Sequence, residues 1–132
     1  MNTGDESPFG GVVFRYTRAQ AVADGVQIDV TATAKEAGIR FPVFLTRGVF
    51  DAYVTVPPGV RWQDEAGRLW DIVWMLRTAM KMSRPAEERL SVELYVQNDA
   101  HSPHLVMLEA VCGPLDVDDP QPAVTVMLTG ED

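Results

Sequence analysis

The spacing of hydrophobic residues divides the chain into three regions. Before residue 60 they come in short runs interrupted by glycine and proline. From 64 to 82 they recur every three or four residues, and from 90 onward every second residue. A period near 3.6 marks a helix with one buried face, and a period of two marks a half-buried strand.

In the first region, "YTRAQAVADGVQIDVTATAKEAGI" holds two Thr-to-Gly units. Thr17 is a natural N-cap for a helix over residues 18–24, with Gly25 at the left-handed position that ends it. Val26, Ile28 and Val30 alternate with Gln27 and Asp29, predicting a short extended segment. Thr31 or Thr33 then caps a second helix over 32–37, closed by Gly38. Pro42, after Phe41, suits the first turn of a third helix, where its missing N–H costs nothing. A second start at Thr46 gives a helix over 47–53. "VTVPPGV" ends that run as a loop.

The longest helix is expected from Gln63 or Asp64 to Met82. Asp64 and Glu65 stand at its start and Lys81 and Arg84 at its end, complementing the helix dipole. Leu69, Ile72, Val73, Leu76, Ala79 and Met80 form its apolar stripe, widened by Trp70, Trp74 and Met75. Trp70 and Trp74 are expected in the core, against Val92, Leu94, Val106, Leu108 and Val126. Trp62, after the proline-rich loop, is expected to be exposed.

Leu90, Val92, Leu94 and Val96 predict one strand. Val106, Leu108, Ala110 and Cys112 predict a second over 104–112, and Val124, Val126 and Leu128 a third over 123–128. "NDAHSP" reads as a turn and "GPLDVDDPQP" as an acidic loop. The fold class is therefore α+β: short N-terminal helices and one long central helix packed on a three-stranded antiparallel sheet. Residues 1–11 read as a flexible leader, 12–16 as a short extended segment, and 12–132 as a single domain.

A chain of 132 residues with 46% hydrophobic content can bury a core of its own. No run of about 18 apolar residues is present, and the polar, acidic start lacks the features of a signal peptide, so a cytoplasmic location is expected. The single cysteine, Cys112, reads as a small core hydrophobe.

The net charge of −8 is unevenly spread. Residues 1–86 carry nine acids against ten bases, whereas 87–132 carry ten acids against Arg89 alone. Such a field repels nucleic acid and favours a basic protein partner. Glu93, Asp116, Asp118, Asp119, Glu131 and Asp132 are the candidate partner-binding residues, with a solvated, solubilising surface as the plain alternative.

Chemistry is hard to find. Phosphate loops, dinucleotide fingerprints, nucleophile elbows and HExxH motifs are all absent from the sequence. Asp99, His101 and His104 are ligand-type side chains in one turn, but a fourth ligand is missing and an exposed polar turn explains them as well. Arg18, Asp24 and Asp29 read as a small polar site or as surface ion pairs. Catalytic residues, cofactors and metal ligands are therefore all assigned as none.

"YTRAQAVADGVQIDV", "EAGIRFPVFLTRGVF", "DEAGRLWDIVWMLR", "AVCGPLD" and the ending "VMLTGED" occur in that order. Together they resemble a family of small uncharacterised bacterial proteins, a domain of unknown function often encoded on phages, plasmids and integrated elements. The resemblance runs from about Tyr16 to the last residue and brings no catalytic residues with it. It implies a non-catalytic accessory protein of a mobile element that binds a host or phage protein. One version is an acidic inhibitor of a host nucleic-acid-binding defence complex. The alternatives are a small-ligand binder or enzyme, with a pocket between the N-terminal helices and the long helix, and a structural homo-oligomer such as a homodimer.

Overall fold

The computed structural model describes residues 16–84 and 86–131. The leader, residues 12–15 of the segment after it, and Asp132 lie outside the described residues. Thr17 caps α1 (Arg18–Ala23) as its position predicts: its hydroxyl accepts the Gln20 N–H at 3.0 Å, and the Gln20 side chain accepts the Thr17 N–H at 3.2 Å. Gly25 and Gly38 take φ of +78° and +93°, the left-handed region a side chain resists. Between them lie β1 (Gln27–Asp29) and α2 (Thr31–Glu36). Neither Thr31 nor Thr33 caps α2, whose N-cap is Val30. The Thr31 hydroxyl instead accepts the Val43 N–H at 3.1 Å, tying α2 to the next strand.

Phe41-Pro42 precedes a strand and not the expected helix. In β2 (Val43–Thr46), Val43, Phe44 and Leu45 are all buried because the strand is interior: β1 flanks it on one side, and Val124, Thr125 and Val126 of a later strand on the other. Interior strands read as unbroken apolar runs, so period alone cannot separate them from a buried helix. The helical start is at Thr46, whose hydroxyl accepts the Val49 N–H at 3.3 Å. It opens α3 (Arg47–Val49), which continues as a π-helical turn, Phe50–Val54.

The long helix α4 (Glu65–Met82) begins at Asp64, whose carboxylate accepts the Gly67 N–H at 2.7 Å. Then come β3 (Arg89–Val96), β4 (His104–Asp116) and β5 (Asp119–Leu128), an antiparallel meander as the alternation predicts. The sheet is larger than expected, with five strands in the order β1-β2-β5-β4-β3. It is mixed, because β2 runs parallel to β5. The acidic stretch 113–122 is mostly strand: Gly113 pairs with Ala123, Pro114 with Pro122 and Asp116 with Asp119 around a bulge, leaving only a tight turn at its centre. Two opposed prolines have no N–H to lose from a ladder, so composition reads as loop where pairing is tolerated.

One sheet face carries the core. Leu90, Val92, Leu94, Leu108, Ala110, Val124 and Val126 meet Ile72, Val73 and Leu76 of α4 there. Each buried valine, leucine or isoleucine there contributes about 1.5–3 kcal/mol. Cys112 packs against this cluster, and burial pushes its thiol pKa up. Trp70 and Trp74 do not join the core. They stack on the flank of α4, 5.9 Å apart, at 36% and 43% exposure. Ile72, Val73 and Leu76 fill the helix–sheet gap, and Trp70 and Trp74 are rotated out of that face by the helical twist. Trp62 is exposed, as expected, at 98%.

Candidate functional site: a groove along the β3 edge

β3 ends the sheet and is eight residues long. The Cys112 N–H donates to the Glu88 carbonyl at 2.8 Å, in register with the Arg89–Val111 pair. In an antiparallel ladder, hydrogen-bonded and non-bonded pairs alternate. Leu90, Val92, Leu94 and Val96 therefore bond to β4, while Ser91, Glu93 and Tyr95 turn their N–H and C=O groups outward. Those outward groups have no backbone partner among the described residues. The Thr129 hydroxyl agrees with this phase, since it donates at 2.9 Å to Met107 O on the β5 side of β4.

A groove of about 620 Å³ runs along this edge. The stacked Trp70 and Trp74 and Met75 of α4 form one wall; Tyr95 and Leu105 of the sheet's second face form the other. It joins a second hollow of about 680 Å³ at the start of α4, as Trp70, Asp71, Leu94 and Tyr95 border both. Trp62 stands at that hollow with φ +65°, in a region uncommon for a non-glycine residue. Tyr95 is 69% exposed, and Leu105 and Met107 beside it are half exposed. α1 covers the other part of the same face, so the open apolar surface lies at the β3 end.

Two carboxylates border the groove. Asp71 and Glu93 have no hydrogen bond or ion pair among the described residues. Burial raises the Asp71 pKa above the ordinary value, against the attraction of Arg68. Arg68 is only 5% exposed. Its guanidinium donates to Tyr53 O at 2.9 Å, Gln63 Oε1 and Gln97 O at 2.8 Å, and Asn98 Oδ1 at 2.5 Å. It clasps the π-turn, the start of α4 and the end of β3, which makes it a support of the groove and not a reactive group. Burial lowers its pKa, with Asp71 opposing.

The acidic candidates fall into separate places. Glu93 borders the groove. Asp116 accepts the N–H groups of Arg18 and Ala19, each at 3.0 Å, and so pins the β4–β5 hairpin to α1. Its pKa is lowered, chiefly by the Val117 N–H; burial opposes this, and the N–H groups of Arg18 and Ala19 and the Arg18 charge add to the lowering. Asp119 accepts the Gln121 N–H at 3.0 Å, and Asp118 lies exposed at the turn. Glu131 accepts from the Thr46 hydroxyl and the Leu128 N–H, both at 2.9 Å, and so locks the end of β5. The hairpin acids and Glu131 are a strand length apart, about 30 Å for a ten-residue strand. The structure thus brings Glu93 alone of these residues to the groove, and Asp132 is not among the described residues.

Arg18, Asp24 and Asp29 diverge. The Arg18 guanidinium lies 4.3 Å from the Phe44 ring centroid and donates to Leu115 O, Gln27 Oε1 and Thr125 Oγ1. Asp24 accepts the Tyr16 hydroxyl and Asp29 the Thr31 N–H. Asp99 lies 3.6 Å from His101 and 3.8 Å from His104, all three well exposed. Among the described residues no three such side chains are placed to hold a metal ion.

The sequence reading missed Tyr95, Leu105, Met75 and Asp71 as site residues. The signal was present: Tyr95, Leu105 and Met107 are apolar on the face that alternation assigns to water. The chain is α+β, with a mixed five-stranded sheet, one long helix and, among the described residues, an open aromatic strand edge. No protein-family model matches the chain, and no curated protein or solved structure matches it. Among the described residues no helix is long and apolar enough to cross a membrane.

Proposed function

We propose that the chain is a non-catalytic protein-binding module that takes an extended segment of a basic protein partner as an added strand on β3. The observation that carries this reading is the edge of Ser91, Glu93 and Tyr95, unpaired among the described residues, beside the exposed Trp70–Trp74 stack. An open edge is a template for pairing, and natural proteins usually block it. Strand addition takes affinity from main-chain hydrogen bonds and specificity from pockets beside them. Exposed tryptophans are the side chains that most often anchor a protein interface. The net charge of −8 favours a basic partner.

The resemblance to mobile-element proteins supports an accessory role of this kind, directed at a host protein. In the inhibitor version, C-terminal acids occupy a basic channel. That version is weakened by Asp116 and Glu131, which are engaged within the fold. An enzymatic or small-ligand reading is weakened by the adjoining hollow, where Arg68 and Asp64 are both committed to structural hydrogen bonds. A second copy is the other reading with an observation behind it. Pairing two β3 edges with Ser91 opposite Ser91 sets Arg89 against Glu93 on each side of the two-fold.

Ser91→Pro tests the proposal, because proline there removes an outward N–H and no ladder bond to β4. A protein captured by the wild type from host lysate should be lost with Ser91→Pro and with Trp70→Ala. Capture unchanged by both substitutions refutes the reading. A sedimentation mass of twice the chain, abolished by Ser91→Pro, assigns the edge to a second copy.

A further inference from the structure

The groove beside the β3 edge has a chemistry of its own. Its walls are indole and phenol faces with Met75 and Leu94, which suit an alkyl chain. Its polar groups at Asp71 and Glu93 are carboxylates, and among the described residues its lining holds no lysine or arginine, the nearest guanidinium being that of Arg77 against Trp74. We propose that this groove seats a lysine or arginine side chain of the added strand, the stem along Trp70, Trp74 and Met75 and the cationic head at the Asp71 carboxylate. The inference rests on the strand-addition reading and specifies what the docked segment must carry.

Three arguments converge on a cation. A long side chain with an apolar stem and a charged tip matches an apolar channel with acidic groups at its border. Indole faces attract ammonium and guanidinium groups, and Trp74 already has the Arg77 guanidinium 4.8 Å from its ring centroid. Asp71 is exposed and accepts no hydrogen bond among the described residues, so its carboxylate is open to a charge-assisted bond from a cation. Arg68 is near Asp71 but its donors are occupied by Tyr53, Gln63, Gln97 and Asn98. Side chains of an added strand alternate between the two faces. Every second residue of the segment therefore turns toward α4, and the cation belongs to that set.

The test uses n-butylammonium against n-butanol, and acetyl-Val-Lys-Val-Lys-Val-amide against its norleucine counterpart. Indole N–H resonances of the whole chain give the readout, with exposed Trp62 as the internal control. n-Butylammonium should shift the Trp70 and Trp74 signals, n-butanol should not, and Asp71→Asn with Glu93→Gln should remove the difference. The lysine peptide should bind at least about tenfold more tightly than the norleucine peptide, a gap of about 1.4 kcal/mol. Equal binding of the two peptides, both lost with Ser91→Pro, overturns the cation seat and leaves strand addition standing. A carboxylate-dependent shift by n-butylammonium with neither peptide binding keeps the seat and overturns strand addition. Equal shifts from n-butylammonium and n-butanol also overturn the seat.

Discussion

Arg68→Ala is the most informative single change. The guanidinium is almost wholly buried and donates to four acceptors, Tyr53 O, Gln63 Oε1, Gln97 O and Asn98 Oδ1. A hydrogen bond from a charged donor contributes a net ~1.5–3 kcal/mol, so four taken alone would give roughly 6–12 kcal/mol. Two effects reduce that figure. Removing the cation recovers its desolvation cost, which is several kcal/mol for a buried ion. Asn98 is exposed and Gln63 and Gln97 are half-buried, so water can re-satisfy much of what is left. The net expectation is about 3–4 kcal/mol. With a urea slope of about 1–3 kcal/mol/M, the unfolding midpoint should fall by roughly 1–4 M. Arg68→Lys should recover little of it, because a single ammonium cannot span acceptors on three elements. Amide exchange should accelerate first in the Phe50–Val54 turn and at the end of β3. A loss below about 1 kcal/mol for Arg68→Ala would refute the view that Arg68 holds these elements together.

The other predictions are local. Gly25→Ala and Gly38→Ala should each destabilise by about 1–2 kcal/mol in urea unfolding, since both glycines have positive φ. Folded Asp71 binds its proton more tightly than the unfolded chain does, so the ionised carboxylate opposes folding. That opposition is absent below the ordinary carboxylate range and complete above the raised value. Asp71→Asn should therefore raise the unfolding midpoint at neutral pH and lose the advantage near about pH 3; a lowered midpoint at neutral pH would contradict it. Asp116→Asn should weaken the hold of the hairpin on α1 and lower the midpoint, while Asp118→Asn should leave it unchanged. Because the Asp116 pKa is lowered, its stabilisation is present at neutral pH and disappears on acidification through that lowered value. Acrylamide should quench Trp62 freely and the Trp70–Trp74 stack only in part, which single-tryptophan variants can measure.

The elements legible in the sequence are those whose signals are local. Thr17, Gly25, Gly38 and Asp64 mark helix ends through contacts within four residues, and the structure bears each out. The alternation from Leu90 to Leu128 sets the inward face of three strands because a strand's side chains can only alternate. Where partners are distant in sequence, pattern could not decide. Val43, Phe44 and Leu45 form a strand because Val124, Thr125 and Val126 lie beside them, some 80 residues on. Arg68 is polar on a one-dimensional helix plot but buried because Tyr53, Gln97 and Asn98 converge on it. Trp70 and Trp74 widen the apolar stripe, yet the sheet meets only Ile72, Val73 and Leu76, which leaves the indoles at the surface. The groove is wholly a product of tertiary structure. It exists because the strand order leaves β3 at the edge and α4 lies beside it. Hydrophobic period sets which face of each element turns inward; which faces remain uncovered depends on how many neighbours the fold supplies.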